Sequence, residues 1–208
     1  MGARATERTR ARYDRIAPAY DRMETFMERR YSSWRQRVWS LVVGPKVLEV
    51  GVGTGKNMPY YPPDVQVTAV DLSPRMLERA RARAKQLGIE VTLLEMDAQA
   101  LQFPDASFDS AIATFVFCSV PDPVLGLQEV ARVVNPGGRI VLLEHVRAAN
   151  RLLGALMDIA DPLVSRLMGP HISRRTVDNV RLADLTLERV EDLGARGIFK
   201  LIVARANG

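Results

Sequence analysis

The 208-residue sequence has one cysteine, Cys118, two histidines, and no long run of apolar residues. A single cysteine excludes an internal disulfide bond and any metal site built on several cysteines, and we predict no bound metal. No apolar segment approaches the roughly 18 residues that a membrane-spanning helix needs. The first fifteen residues are too polar for a signal peptide. We therefore expect a cytoplasmic protein that does not span a membrane.

Residues 1–40 carry the excess of positive charge. They contain ten arginines and five acidic residues, so this segment alone accounts for the net charge of +5. A cationic segment favours phosphate-bearing partners, either nucleic acid or an anionic membrane surface. The alternative is a solvated, arginine-rich face without a partner.

Alternating strand and helix patterns occupy the middle of the chain. Short apolar runs predict strands at residues 46–50, 66–71, 90–95, 108–117 and 139–144. Helical periodicity and capping residues predict helices at residues 54–60, 74–87 and 122–134. This alternation is typical of a doubly wound α/β fold, with a mostly parallel sheet and helices on both of its faces.

The segments on either side of residues 46–145 show other patterns. Residues 1–40 are predicted to be N-terminal helices that cap the sheet, and residues 146–182 a helical lid interrupted at Gly169-Pro170. Residues 183–208 are predicted to hold a closing pair of strands. Because the chain is 208 residues long and 47% hydrophobic, we expect one domain with its ligand-binding core at residues 46–145.

A glycine-rich turn follows the first predicted strand. Residues 47–55 read Val-Leu-Glu-Val-Gly-Val-Gly-Thr-Gly. A phosphate-binding P-loop would need glycine and a hydroxyl residue where the chain has Val50 and Asn57. A dinucleotide fingerprint would place the third glycine one residue later. Glu49 lies two residues before the first glycine, where an acid suits a cationic ligand better than a pyrophosphate.

S-adenosylmethionine is a ligand of this kind, because it carries a sulfonium and an ammonium group but no phosphate. Glycines in the turn let the backbone approach such a ligand closely. Asp71 ends the second predicted strand and is predicted to accept hydrogen bonds from ribose hydroxyls. Asp97 and Ala98 follow the third strand and are predicted to meet the adenine. Taken alone, each acid is more often a capping or turn residue.

Five segments resemble, in order and at normal spacing, the successive motifs of class I S-adenosylmethionine-dependent methyltransferases. They are residues 49–55, 71–76 (Asp-Leu-Ser-Pro-Arg-Met), 96–98 (Met-Asp-Ala), 103–109 (Phe-Pro-Asp-Ala-Ser-Phe-Asp) and 132–138 (Arg-Val-Val-Asn-Pro-Gly-Gly). The resemblance covers residues 12–145. It implies a Rossmann-like, seven-stranded, mostly parallel sheet with one antiparallel strand.

The resemblance also implies which residues bind the cofactor. Tyr13 and Tyr20 are expected to close over its methionine end, with plain helix packing as the alternative. The full set predicted to bind S-adenosylmethionine is Tyr13, Tyr20, Glu49, Gly51, Gly53, Gly55, Asp71, Leu72, Met76, Asp97, Ala98 and Thr114.

The segment after the fourth strand argues against a nucleic-acid substrate. Residues 117–122, Phe-Cys-Ser-Val-Pro-Asp, stand where nucleic-acid amino methyltransferases carry an Asn/Asp-Pro-Pro-aromatic sequence. Cytosine C5 enzymes place a nucleophilic cysteine after proline, whereas Cys118 follows Phe117. We therefore predict no nucleic-acid partner. Cys118 falls where relatives place a substrate-facing side chain, although a small buried hydrophobic residue is the alternative.

Within the family, the chain is similar to ubiquinone/menaquinone C-methyltransferases and to bacterial phospholipid N-methyltransferases. Residues 49–62 and 197–202 favour the phospholipid members, whereas residues 143–146, Leu-Glu-His-Val, are similar to small thiol methyltransferases of membranes and lipid droplets. The favoured acceptor is therefore phosphatidylethanolamine, methylated at nitrogen. The alternatives are a quinone-type ring carbon or a small thiol, and a binding module without catalysis.

Two segments outside the core predict contact with a lipid. Residues 1–40 interleave arginines with aromatic residues, a composition typical of an interfacial helix. The apolar stripe at residues 152–168 is predicted to form a lid over an acyl chain, with Arg174 and Arg175 binding a phosphate. Ordinary amphipathic helices that cap the sheet are the alternative. We expect a lipid or small apolar acceptor and peripheral association with the inner face of the cell membrane.

A basic side chain near the acceptor would assist methylation of an amine, because the amine must first lose a proton. His145, just past the fifth predicted strand, is the first candidate, and His171 in the predicted lid is the second. The unperturbed pKa of histidine suits proton transfer at neutral pH. A structural or exposed histidine is the alternative at both positions.

Overall fold

The computed structural model describes residues 2–167, 170–194 and 197–207, with side chains for all of these except residues 23–27, 29 and 167. The strands are β1 (Lys46–Val50), β2 (Gln66–Asp71), β3 (Thr92–Glu95), β4 (Phe108–Thr114), β5 (Val134–His145), β6 (Leu185–Asp192) and β7 (Phe199–Ala206). The helices are α1 (Gly2–Trp39), α2 (Pro74–Leu87), α3 (Pro123–Val133), α4 (Arg151–Leu167) and α5 (Thr176–Leu182), with a short 3-10 helix at Met58–Tyr60.

In the described residues, seven strands form one sheet in the order β3-β2-β1-β4-β5-β7-β6. Strands β1 to β5 are parallel, and β7 is antiparallel to both of its neighbours. The predicted Rossmann-like, mostly parallel, seven-stranded sheet is confirmed. Because β1 lies between β2 and β4, successive strands are added on one side of β1 up to β3 and on its other side from β4 onward. A crevice therefore opens beyond the carboxyl ends of β1 and β4.

Helices cover both faces of the sheet because the central strands are apolar on both sides. Val47 of β1 packs in one buried cluster with Trp39 of α1 and Leu77 of α2. The next residue, Leu48, packs in a second cluster with Leu127 of α3. Successive side chains of a strand point to opposite faces, so a run of apolar residues in β1 serves two layers of helices.

Two boundaries of the predicted parallel strands differ from the structure by three residues or more. The fourth strand was expected to continue to residue 117 but ends at Thr114, because Phe115 has a left-handed backbone with φ 59°. The fifth strand was expected to begin at Arg139 but begins at Val134, which pairs with Phe108. The register shifts before Ser110, so the Asn-Pro-Gly-Gly segment is accommodated as an irregular strand edge.

The N-terminal segment is one helix rather than the several that were expected. α1 contains 38 residues, with Pro18 inside it. Its C-terminal part packs on the body of the protein, where Val38 and Trp39 are buried. Its N-terminal part crosses the carboxyl edge of the sheet, where Tyr13 reaches Ser119. α1 therefore contacts the predicted binding edge as well as the core.

The segment predicted to form a helical lid, residues 146–182, contains α4 and α5. The predicted break at Gly169-Pro170 lies partly outside the described residues, because residues 168–169 are not described. Among the described residues, no helix combines the length and the apolar character needed to cross a membrane.

Candidate functional site

A cleft of about 720 Å³, its open mouth included, lies beyond the carboxyl ends of β1, β2 and β4. Ten of the twelve residues predicted to bind the cofactor line it: Tyr13, Tyr20, Gly51, Gly53, Asp71, Leu72, Met76, Asp97, Ala98 and Thr114. Glu49 and Gly55 are not among the described lining residues. The structure thus brings most of the predicted set together, and their roles in binding stay predictions.

The three glycines of the turn have different surroundings. At Gly51, φ is 69° and an added Cβ would lie 2.5 Å from Val116 Cγ2, so this glycine permits close packing of the turn against the loop after β4. At Gly53, φ is 55° and an added Cβ would meet nothing within 4 Å. Gly53 therefore leaves open space toward the cleft. At Gly55, an added Cβ would collide with the side chain of Met58, behind the cleft.

Asp71 is held at the end of β2 by the glycine turn and by the start of α2. Its Oδ2 accepts the backbone N–H of Gly53 at 2.8 Å, and its Oδ1 accepts that of Ser73 at 2.9 Å. Burial raises the pKa of Asp71 to about 6. Each carboxylate oxygen can accept a second hydrogen bond. The side chain is therefore fixed in place with acceptor capacity left for a pair of hydroxyl groups.

Asp97 accepts hydrogen bonds from two residues, Thr6 and Gln99, that no sequence motif indicated. Its Oδ2 accepts the hydroxyl of Thr6 at 3.1 Å, and its Oδ1 accepts the backbone N–H of Gln99 at 2.9 Å. The side-chain amide of Gln99 also lies 3.0 Å from both carboxylate oxygens. Thr6 belongs to α1, so the first turns of that helix contact the acid predicted to meet the adenine.

Glu49 lies behind the glycine turn, in a buried polar network. Its Oε1 accepts the side-chain amide of Asn57 at 2.7 Å, and its Oε2 accepts the hydroxyl of Tyr61. Asn57 also accepts a hydrogen bond from Arg35 at 2.9 Å and donates one to Thr114 at 3.1 Å. Burial raises the pKa of Glu49. The network ends at Thr114, which does line the cleft.

The N-terminal part of α1 forms one wall of the cleft. The hydroxyl of Tyr13 lies 2.6 Å from the hydroxyl of Ser119, and Asp14 accepts the Ser73 hydroxyl at 2.6 Å. Tyr20 lines the same cleft. Both tyrosines therefore stand where a bound cofactor would meet them, and their contact with its methionine end stays a prediction.

The turn after β4 is fixed by a buried carboxylate. Oε1 of Glu144 accepts the backbone N–H groups of Val116 at 3.0 Å and Phe117 at 2.9 Å. Glu144 is fully buried, its Oε2 is without a hydrogen-bond partner among the described residues, and burial raises its pKa to about 7. These bonds keep Phe115 and Val116 at the cleft. Glu144 lies in the Leu-Glu-His-Val motif at residues 143–146, but nothing in that motif indicates a role for its carboxylate.

The two histidines lie outside the lining of the cleft, as far as the described residues show. His145 ends β5 with its ring edge-on to Phe199, 5.4 Å between centroids, and burial lowers its pKa. His171 follows α4 and its Nδ1 lies 2.7 Å from Oδ2 of Asp161. Its backbone N–H is donated to the carbonyl of Cys118. His171 thus holds α4 to the loop after β4.

The three residues predicted to contact the acceptor are also outside the described lining. Cys118 is buried, and burial raises the pKa of its thiol, so it resembles a small hydrophobic residue. Arg174 donates to the backbone carbonyl of Val120 at 2.9 Å. Arg175 is exposed and precedes α5. The structure therefore places Arg174 next to the loop and leaves Arg175 facing solvent.

Comparison with known proteins identifies a family. Residues 48–142 match a family model described as a methyltransferase domain. The phosphatidylethanolamine N-methyltransferase of Cereibacter sphaeroides is 45% identical over 104 residues, which are 49% of this chain and 51% of that protein. The ubiquinone/menaquinone biosynthesis C-methyltransferase UbiE of Syntrophotalea carbinolica is 31% identical over 198 residues, which are 92% of this chain and 81% of that protein.

Coverage of the relatives is uneven. The chain spans about half the length of the Cereibacter protein and 61–63% of two further curated relatives. A solved S-adenosylmethionine-dependent methyltransferase from Thermotoga maritima matches 96% of this chain and 100% of its own, with 24% identity and a TM-score of 0.73, which shows the shared fold. The extended similarity to the Syntrophotalea relative and the family-model match together show that the chain belongs to the class I S-adenosylmethionine-dependent methyltransferases.

Proposed function

We propose that the protein transfers a methyl group from S-adenosylmethionine to the amine of a lipid headgroup, with phosphatidylethanolamine as the favoured acceptor. The observation that carries the proposal is Phe115, which lines the cleft directly after β4. Its ring centroid lies 4.7 Å from that of Tyr31 and 6.1 Å from that of Phe199. Because aromatic faces attract ammonium groups, this side of the cleft suits an amine. The similarity to the Cereibacter relative supports the same acceptor.

The polar groups of the cleft fit the nucleoside part of S-adenosylmethionine. Asp71 would accept the ribose hydroxyls, and Asp97 would accept the adenine amino group in place of the side-chain amide of Gln99, while its bond to Thr6 is kept. The open space at Gly53 would let the cofactor approach the protein backbone closely. When bound, S-adenosylmethionine supplies an electrophilic methyl group. The protein's task is to hold the acceptor nitrogen in line with that group, which contributes roughly 7–11 kcal/mol to lowering the barrier.

A proton must leave the acceptor ammonium before its nitrogen can attack. His145 lies outside the described lining of the cleft and contacts its aromatic side through Phe199, so the proton would reach it through a bridging water. Burial lowers its pKa, so the imidazole is neutral at neutral pH and can accept that proton. The nitrogen lone pair then forms the bond to the methyl carbon while the carbon–sulfur bond breaks, its electron pair staying on sulfur. His145 is therefore the proposed general base.

A ring carbon of a quinone-type acceptor is the second candidate. The Syntrophotalea relative, which carries that activity in its name, is matched over 81% of its length. Phe115 and Tyr31 could also stack on a flat ring. An activated ring carbon would need less help from a base than an ammonium group does. The two candidates therefore differ in their dependence on His145.

Transfer of a labelled methyl group into a lipid extract tests the proposal. The full chain would be incubated with labelled S-adenosylmethionine and lipids in mixed detergent micelles, and the products identified by mass spectrometry. We expect label in N-methylated phosphatidylethanolamine, and much less label with the Asp71→Asn variant when the cofactor concentration is below the dissociation constant of that variant. Label in a quinone fraction would favour the second candidate. If calorimetry shows that the cofactor binds but no methyl group is transferred to any lipid, the protein would be a binding module without catalysis.

A further inference from the structure

The apolar stripe of α4 is exposed. Leu152, Leu156, Ile159 and Leu163 are 80%, 63%, 78% and 64% exposed, respectively. Their spacing of four, three and four residues places them on one side of a helix. We call this surface the α4 face. The four side chains point to solvent and therefore do not cover the cleft as the predicted lid would. Such a continuous apolar stripe on a surface helix usually marks an interaction site.

The opposite side of α4 contacts the body of the protein, so the α4 face points away from it. Met157 is buried, and the backbone N–H of Ala148 lies 3.4 Å from its sulfur. A Cβ on Gly154 would lie 2.4 Å from the guanidinium of Arg147, so the two are closely packed. Arg147 also forms an ion pair with Asp158 at 2.8 Å.

The charges around the α4 face are positive. Arg151 begins the helix and Arg166 lies in its last turn, and both are exposed. The acids of the segment have partners inside the chain: Asp158 pairs with Arg147 and Asp161 with His171. Within the described part of the chain, no ion pair involves Arg151 or Arg166. An apolar stripe with an arginine at each end is complementary to a surface that is apolar inside and anionic outside.

We propose that the α4 face docks on an anionic phospholipid bilayer, with α4 lying in the plane of the interface. The four apolar side chains would enter the acyl boundary while Arg151 and Arg166 meet lipid phosphates. A second copy of this chain is a poorer occupant, because pairing two α4 faces would bring arginines against arginines in either orientation. The arginine-rich α1 also fits less well, since Trp39 is buried and Arg35 and Arg37 pair with Glu28 and Glu191.

The docking surface is linked to the cleft. His171, held by Asp161 of α4, donates its backbone N–H to the carbonyl of Cys118 at 2.9 Å. Arg174 reaches the carbonyl of Val120, a residue that lines the cleft. Docking through α4 would therefore bring a bilayer near the loop after β4. The inference extends the proposed function to its lipid surface, but the docking itself does not depend on which acceptor is methylated.

Flotation with vesicles tests the inference. The probes are vesicles of phosphatidylcholine alone and vesicles of phosphatidylcholine mixed with phosphatidylglycerol. We expect the full chain to float with the anionic vesicles and much less with the neutral ones. The double variant Leu156→Glu/Ile159→Glu should lose on the order of tenfold or more of the bound fraction. The matched control is Leu87→Glu on α2, which is 44% exposed and should bind like the unmodified protein.

Three outcomes would overturn the inference. The full chain could fail to float with anionic vesicles, or the double variant could float as well as the unmodified protein. Sedimentation could also show a dimer that the double variant dissociates, without any flotation, which would assign the face to a second copy. Methyl transfer in detergent micelles separates this from the proposed function, because the double variant should keep that activity there. Unchanged thermal unfolding would show that the variant is folded.

Discussion

The hydroxyl of Thr6 donates a hydrogen bond to Oδ2 of Asp97 over 3.1 Å, joining the first turns of α1 to the floor of the cleft. With the bond between Tyr13 and Ser119, it holds α1 across the site. Because α1 forms one wall of the cleft, we expect a cofactor to enter and leave past this helix. The contact therefore bears on exchange rates more than on affinity.

Replacing Thr6 with alanine should speed both binding and release of S-adenosylmethionine. The lost hydrogen bond to a carboxylate corresponds to about a threefold to tenfold faster release, since the pair is partly exposed. The dissociation constant should change less than either rate. Stopped-flow fluorescence measures both rates. Arg8→Ala is the control, because the side chain of Arg8 bonds to the backbone of Arg4 and to no other group among the described residues; equal rates for the two variants would contradict the expectation.

The pH dependence of cofactor binding should reflect Asp71. Burial raises its pKa to about 6, and the ionised carboxylate is the better acceptor for hydroxyl groups. Because binding favours the ionised form, affinity should be full above pH 6 and should fall as the pH drops through 6. Asp71→Asn should weaken binding by roughly tenfold to a hundredfold at higher pH and flatten this dependence. Calorimetry over a pH series measures both effects; parallel profiles for the two proteins would exclude Asp71 as the cause.

The stability of the protein should respond to Glu144. Burial raises its folded pKa to about 7, above the ordinary value of 4.5. Because the folded pKa is raised, the contribution of protonated Glu144 to the free energy of unfolding is complete below pH 4.5 and is lost as the pH rises through 7. Glu144→Gln keeps an oxygen for the amides of Val116 and Phe117 without the charge. We expect its stability relative to the unmodified protein to rise with pH, by about 1–3 kcal/mol overall.

Urea unfolding at about pH 5 and about pH 8 would measure this difference. An equal difference in the free energy of unfolding at both pH values would show that Glu144 does not titrate in this range. Glu129→Gln is a useful comparison, because hydrogen bonding to Arg132 lowers the pKa of that carboxyl instead. Its stability relative to the unmodified protein should not increase over the same interval.

The first two glycines of the turn should differ in their response to alanine. Gly51→Ala combines a left-handed backbone with a Cβ that would lie 2.5 Å from Val116, so it should cost about 2–4 kcal/mol of stability. Gly53→Ala carries only the backbone cost of about 1–2 kcal/mol, because an added Cβ would meet nothing within 4 Å. Since that Cβ would occupy space open to the cleft, Gly53→Ala should also weaken cofactor binding. Thermal unfolding and calorimetry separate the two effects, and equal destabilisation would contradict the assignment.

His145→Ala distinguishes the two candidate acceptors. With an amine acceptor we expect kcat to fall by about a hundredfold while the affinity for S-adenosylmethionine stays unchanged. With a ring carbon acceptor kcat should fall little. His171→Ala is the matched control, because the described contacts of His171 are with Asp161 and the carbonyl of Cys118 and not with the aromatic cluster around Phe199. A larger effect of His171→Ala than of His145→Ala on kcat would argue against the proposed base.

The sheet and the acids at its edge could be predicted from the sequence, because both depend on local patterns. Asp71 follows an apolar run that forms β2, and parallel strands bring their carboxyl ends to one edge. Ten of the predicted cofactor residues accordingly line one cleft. The start of β5 at Val134 could not be predicted, because its pairing with Phe108 depends on a register shift between two strands.

The place of Glu49 could not be predicted either. The prediction rested on its distance in sequence from the glycines, whereas its surroundings come from Arg35, Asn57 and Tyr61. The contact between Thr6 and Asp97 could not be predicted for a similar reason, since the two residues are 91 positions apart in the sequence. Thr6 belongs to α1, and Arg35 of the same helix reaches Glu49 through Asn57, whereas the sequence of that helix shows chiefly its charge.

The contacts that α1 makes near both of its ends limit how the length of this helix can vary. Tyr13 contacts the loop after β4, while Arg35 supports the network behind the glycine turn through Asn57. A single residue inserted between these positions would rotate one end by roughly 100° relative to the other and displace it by about 1.5 Å. Only one of the two contacts could then survive. Substitutions along the exposed side of this stretch should thus be tolerated far better than an insertion or deletion of one residue.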